Sequence, residues 1–247
     1  MPGAARPRRE PLRLVARTLG ELLVTGGLIV LLFVVYELFV TDVLNGERQH
    51  DLNRQVHAEW EAPAPAEPRP QVPGDAIAIL HIPRLGADYQ RVVLEGTSHE
   101  DLKDGPGHYL GTALPGQPGN VAIAGHRTTY GSPFRELDLL RPGDPIVVET
   151  ADTWFTYRVL GDPRTGDFGS DPSGIPGQQI VSPADIQVIN QTPNASADAP
   201  PSGSYLTLTT CHPRFSARQR LIVHAVLDGT GVPRADAPNG PPALTGG

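Results

Sequence analysis

The chain has 247 residues, 39% hydrophobic and 19% charged, long enough for one ordinary domain with extensions and too apolar for a wholly disordered polymer. Its single cysteine, Cys211, excludes an intrachain disulfide framework and any metal site built on several thiolates. The net charge of −7 conceals a division: residues 1–17 carry five arginines and one glutamate, and the remainder carries 15 basic against 26 acidic side chains. An acidic body argues against nucleic acid as a partner, because phosphate binding draws on Lys and Arg.

In chain order, residues 1–18 form a basic segment that precedes an apolar run. Leu19 to Val40 reads LGELLVTGGLIVLLFVVYELFV, with Glu21 and Glu37 as its only charges. At ~1.5 Å per residue such a run spans the ~30 Å hydrocarbon layer, and it has no polar face for a globular surface. A membrane-spanning helix over 19–41 is expected in preference to a buried core helix. No small-x-small cleavage site follows, so an uncleaved anchor is expected in preference to a signal peptide. The arginines precede the span, which places the N-terminus in the cytoplasm and the body of the protein outside the cell.

Residues 42–73 read as a juxtamembrane segment and linker: a short helix over 42–60, ending near Trp60, then the proline-dense EAPAPAEPRPQVP as a semi-rigid spacer. From 74 to 229 short apolar runs alternate with turn signals: AIAIL, RVVLEG, NVAIAGH, DPIVVET, WFTYRVLG, QQIVSP, IQVIN, YLTLTTC and RLIVHAVL. With FRELDLL as the main helical candidate, this predicts an all-β barrel or sandwich of about eight strands. Residues 191–204 are expected to be a long mobile loop, and 230–247 a disordered tail.

Period-2 alternation places Tyr205, Thr207, Thr209 and Cys211 on one face of a strand and Leu206, Leu208 and Thr210 on the other. In NVAIAGH the large Val121 and Ile123 share a face, whereas Ala122, Ala124 and His126 share the opposite one, leaving space beside the imidazole. A hairpin after Cys211 would set Arg220, which opens the next apolar strand, opposite the thiol. Thiolate, imidazole and guanidinium supply the nucleophile, proton donor and oxyanion or substrate holder of a thiol acyl transferase or protease. His212 points to the opposite face from Cys211, His224 lies inside a strand and packs, and His81, His99 and His108 have no metal-ligand spacing. No acidic cluster reads as a calcium site, so no metal is expected.

IAGHR, then TLTTC, then RLIV resembles the sortase family, membrane-anchored cysteine transpeptidases of Gram-positive bacteria, over roughly residues 74–229. The resemblance implies a sortase-type closed β-barrel preceded by one transmembrane helix, with no cofactor. Cys211 would form the acyl-enzyme, His126 would shuttle the proton and Arg220 would hold substrate or oxyanion. Thr210 and its neighbour Thr209 take positions where the family contacts substrate. GPGHYLGTALPGQPGNVAIAGHRTTYGSPF further resembles the class E, housekeeping-type enzymes of actinobacteria. Those are associated with an LAxTG-like sorting signal in place of LPxTG, a preference linked to a Tyr at the position of Tyr109. The common pattern has Pro after that Tyr; this chain has Leu110. The implied partners are secreted proteins bearing a sorting signal and the amine of a peptidoglycan precursor. A pilin-polymerising sortase and a non-catalytic anchored barrel that binds sorting signals or wall components are the alternatives. An L,D-transpeptidase is excluded by the missing SHGC-type signature.

Overall fold

A computed structural model describes residues 10–36, 41–62, 72 and 74–244. Helix α1 spans Glu10–Val35; within it, Arg13–Val35 is long and apolar enough to cross a membrane, with mean hydropathy 2.3. Helix α2 spans Thr41–Glu61. The strands that follow are β1 (Ala76–His81), β2 (Gln90–Glu95), β3 (Gly107–His108), β4 (Gly119–Ala124), β5 (Pro145–Glu149), β6 (Thr153–Val159), β7 (Gln178–Val181), β8 (Ser204–His212), β9 (Gln219–Leu227) and β10 (Val232–Pro233).

Eight of these strands close on themselves in the order β6-β5-β1-β2-β3-β4-β8-β9, because β9 returns to β6 through Tyr157↔Leu227, Arg158↔Val226 and Val159↔Ala225. The expected eight-stranded barrel is therefore present, and closure removes the open edges that invite strand addition. Strand β9 is long enough to hold β7 along Arg220–Val223 and β6 along Ala225–Leu227. Inward-facing residues of alternating strands fill the barrel: Val121 and Ile123 from β4, Leu206 and Leu208 from β8, Leu221, Val223 and Ala225 from β9, around Tyr157 and Phe134. Sequence periodicity had no purchase on β3, which is two residues long, or on β10, which contains a proline.

One expected strand is a different element. IQVIN forms a single 3-10 turn, Ile186–Ile189. A strand would put Ile186 and Val188 on one buried face, yet Val188 is buried and Ile186 is exposed. The Asp185 carboxylate accepts from Ser182 N–H, and the Asn120 amide donates to the carbonyls of Val188 and Asn190, so side chains satisfy this backbone in place of a sheet.

The juxtamembrane helix expected over 42–60 is α2, and it belongs to the barrel. Leu52, Val56 and Trp60, four residues apart and so on one helix face, cover Ile79, Val92 and Leu94, the outward side chains of β1 and β2. A neighbouring polar row locks the register. Gln49 accepts from Val92 N–H and donates to Asp104 O, Asn53 donates to Gln90, and His57 Nε2 lies 3.0 Å from the Glu149 carboxylate. Each fully buried aliphatic side chain in such a face contributes roughly 1.5–3 kcal/mol, so the helix is a fixed part of the domain.

The tail expected to be disordered also docks. Strand β10 pairs with β6, and Trp154 Nε1 donates to Ala237 O at 3.0 Å. Arg234 reaches Glu149 at 3.3 Å and lies over the Trp60 ring, 5.3 Å from its centroid. Residues 245–247 of that tail lie outside the described residues. The 191–204 loop is irregular, as expected, but crosslinked: Thr192 Oγ1 donates to Pro200 O, and Ser202 N–H donates back to Thr192 Oγ1.

Buried Glu149 thus joins four segments, taking His57 from α2, His81 from β1 and Arg234 from the tail. Burial alone would raise its pKa, but hydrogen bonds from His81 and His57 outweigh that and hold it below the usual carboxylate value. Removing one partner of a buried ionic cluster strands the rest. Glu149→Ala is expected to lower the unfolding free energy by about 3 kcal/mol in urea titrations and to open residues 230–244 to limited proteolysis.

Candidate active site

The site is set by a parallel pairing. Strands β4 and β8 run in register from Gly119↔Ser204 to Ala124↔Thr209. Two further bonds carry this past the end of β4: Gly125 N–H donates to Thr209 O at 3.0 Å, and Thr210 Oγ1 donates to Gly125 O at 2.7 Å. The next residue along each chain is His126 and Cys211, so the two lie side by side, both on the outer face of the sheet as parity requires. On the other flank, Cys211 pairs directly with Arg220. The three sequence-predicted residues therefore meet at one end of three adjacent strands.

Cys211 is partly exposed and free. His126 Nε2 is buried and has no hydrogen-bond partner, and the ring packs against Tyr130 at 5.1 Å between centroids. Burial, with a smaller contribution from His99, lowers the His126 pKa and favours the neutral ring. A Cβ at Gly125 would stand 2.5 Å from the fully buried Phe134 ring, so only glycine lets the strand end turn the imidazole outward here. Arg220 Nη1 donates to the carbonyls of Ala217 and Gln219 at 2.9 and 3.0 Å, which holds the guanidinium at the mouth of its own hairpin.

Beneath this pair lies a second one that sequence reading missed. Arg127 and His212 follow His126 and Cys211 and so point to the opposite face. Arg127 is buried, and its Nη1 donates to His212 Nδ1 at 2.9 Å and to Cys211 O at 3.4 Å. Its Nη2 lies 3.0 Å from Asp138. A guanidinium can only donate, so His212 Nδ1 is the acceptor and the ring proton sits on Nε2. The signal was present in IAGHR: an arginine whose parity turns it inward at a strand end needs buried acceptors.

The outer face of β4 and β8 also carries a directed polar chain. Gln179 Nε2 donates to His224 Nε2 at 2.9 Å, which leaves the His224 proton on Nδ1 to donate to Thr207 Oγ1 at 2.8 Å. Thr207 donates to Asn120 Oδ1 at 2.7 Å, and Asn120 Nδ2 holds the Val188 and Asn190 carbonyls. This chain pins the 186–190 turn over the sheet, and its last member, Asn120, lines a cavity of about 250 Å³. Leu110, Thr112 and Ala113 line one wall, and Ile186, Ile189 and Ala197 the other. Beside it, Tyr109 Oη lies 3.0 Å from Thr209 Oγ1. Thr209 and Thr210 are both buried with their hydroxyls committed, to Tyr109 and to Gly125 O. In this structure both are engaged within the protein.

A family profile described as the sortase domain matches residues 80–228. Sortase SrtE1 of Streptomyces coelicolor is 37% identical over 89% of this chain; the match spans 59% of that relative's own length. Its crystal structure with a tripeptide in the active site superposes with a TM-score of 0.56 at 36% identity, covering 71% of this chain and 99% of the other. The SrtF sortase of Corynebacterium diphtheriae superposes with a TM-score of 0.65 at 36% identity, covering 76% of this chain and all of the other. The chain belongs to the sortase family. Within it, the similarity runs to the class E sortases.

Two outcomes follow from this geometry. Arg127→Ala leaves His212 Nδ1 and Cys211 O without their donor and should cost about 2–3 kcal/mol, whereas His126→Ala, which removes an unsatisfied group, should stay within about 1 kcal/mol of the parent; urea titration separates them. Burial lowers the His224 pKa from 6.5 to about 3, so below pH ~6.5 the unfolded chain binds a proton that the folded one refuses. Stability supplied by the neutral ring is complete above that pH and falls with acidification. From pH 7 to 5 the loss should be about 2 kcal/mol, and His224→Gln should remove that slope.

Proposed function

We propose that this sortase is a cysteine transpeptidase that cleaves a C-terminal sorting signal between Thr and Gly and passes the acyl group to an amine of a peptidoglycan precursor. The observation that carries the reading is the meeting of Cys211, His126 and Arg220 through the in-register β4–β8–β9 pairing, with His126 Nε2 left without a partner. A buried polar atom is left orphaned at a cost unless a reacting group uses it.

Sulfur attacks the Thr carbonyl carbon as His126 takes the thiol proton. Arg220, with Nη1 anchored on the hairpin, offers Nε and Nη2 to the oxyanion. The C–N bond then breaks, His126 gives its proton to the departing glycine nitrogen, and a thioester remains at Cys211. The acceptor amine attacks the thioester, loses a proton to His126 and expels the sulfur, to which His126 returns the proton. Arg127 and His212 hold the two backbones at the separation this exchange needs.

Asn120, which lines the cavity, pairs with Tyr205, six residues from Cys211 along β8 and so ~20 Å away. An extended peptide with its Thr carbonyl at Cys211 carries its Leu three residues upstream, ~10 Å away at Cα, in the direction of that cavity. The second signal residue passes beside Tyr109, which supports a preference for Ala over Pro there. The apolar helix α1 is the anchor in this reading, the N-terminus lies in the cytoplasm, and the barrel works outside the cell on secreted proteins.

Quenched fluorescent LAxTG and LPxTG peptides test the reading, with and without a glycine amine acceptor. The soluble fragment should begin at residue 41, because starting at 74 removes α2 from the barrel. Cleavage that needs Cys211 and gives ligated product with the amine is expected, with Cys211→Ala inactive. Tyr109→Phe, which loses the bond to Thr209, should narrow the LAxTG preference by roughly fivefold. A folded wild type that turns over neither peptide, with a thiol no more readily alkylated than a buried one, would overturn the proposal.

A further inference from the structure

We infer that the β8–β9 loop, His212–Gln219, is a membrane-docking surface that seats the active-site end of the barrel on anionic lipid headgroups. This rests on the reading of α1 as the anchor. Three independent observations carry it.

The first is charge. Residues 74–229 hold 17 acidic against 11 basic side chains, yet between Asp198 and Asp228 there is no carboxylate, and the arginines there are Arg214, Arg218 and Arg220. Three of the eleven basic residues of an acidic domain thus stand in or beside the loop next to Cys211, in a stretch without a carboxylate. The carboxylate in contact with the loop is Asp138, already paired with Arg127 and Arg214.

The second is an exposed aromatic. Phe215, at the tip of this loop, is 85% exposed, the highest value among the large hydrophobic side chains of the described residues, and it stands in the left-handed region at φ 64°. A non-glycine residue is held there at a cost, and that conformation leaves the ring unpacked between Arg214 and Arg218. An aromatic ring flanked by cations matches a headgroup interface, where the ring enters the apolar boundary and each cation near an anionic surface gains about fivefold in association.

The third is the tether. Only residues 37–40 separate the end of the described apolar segment from α2. Gly46 and Gln49, in the first turns of α2, line the same small cavity as Tyr130, Gly131 and Pro133 from the loop that follows His126. Gly46 is ~8 Å along the helix from its start. With α1 as the anchor, this tether brings the His126 end of the barrel toward the bilayer, and the β8–β9 loop is joined to that same end by Arg127–His212 and Arg214–Asp138.

The test uses the full chain reconstituted into vesicles of phosphatidylglycerol and phosphatidylcholine with brominated acyl chains. Phe215→Trp adds a reporter at the loop tip, read against the parent with its own Trp60 and Trp154. Quenching of the added emission is expected, and it should fall by roughly fivefold per arginine in docked population when Arg214→Glu and Arg218→Glu are added. An unquenched reporter overturns the inference, as does quenching that survives both charge reversals. If the charge reversals slow peptide cleavage equally in detergent, where no bilayer exists, the loop reads the peptide and the inference also falls. Flotation and peptide cleavage by the same preparation keep the two readings apart: a chain that floats and cleaves but is not quenched loses only the docking surface.

Discussion

Everything at this site depends on one register. The parallel pairing of β4 with β8 fixes which residue stands beside which, and a slip of one position would turn every outward side chain into the core. It also explains why the site comes in two layers. At the ends of two adjacent strands, consecutive residues face opposite ways, so His126 and Cys211 on the outer face bring Arg127 and His212 with them on the inner one. The inner pair is hydrogen-bonded, with Arg127 buried and His212 half-buried, whereas the outer pair is left with an unpaired imidazole nitrogen. The hydrogen-bonded pair lies beneath the site and the pair proposed to react lies above it.

The same division extends along the sheet. The polar chain from Gln179 through His224, Thr207 and Asn120 has a single consistent direction of donation, since Gln179 can only donate its amide hydrogens at one end and two carbonyls can only accept at the other. Fully satisfied buried networks rigidify what they touch. Here they hold a turn of the β7–β8 connection against the sheet and so shape the cavity, which the barrel core alone would not do.

Much of this was legible in the sequence, for reasons that can be named. The strands of the barrel alternate or run apolar, and parity in YLTLTTC and NVAIAGH sets Cys211 opposite Leu206 and Leu208 and His126 opposite Val121 and Ile123; the β4–β8 pairing is what gives them a common face. The position of Arg220 followed from hairpin arithmetic. The misses share a cause. IQVIN has a strand's composition, but its backbone is satisfied by the side chain of Asn120, 66 residues before Ile186 in the sequence. Arg127 was read as part of a motif and not as a residue needing buried acceptors, which come from Cys211, His212 and Asp138. The tail reads as disordered by composition, and only Trp154, Glu149 and Trp60, brought together by the fold, give it something to hold. Local pattern reports faces; long-range polar pairing is invisible to it.

The attachment of α2 changes what the proline-rich stretch after it can mean. Residues 63–71 lie outside the described residues, but both ends of that stretch are moored to one hydrophobic cluster, Trp60 before it and Ala76 after it. A segment whose two ends are fastened to the same body cannot act as a stalk. With α1 as the proposed anchor, the spacing between barrel and membrane would be governed by the few residues between α1 and α2 and not by the length of the proline run.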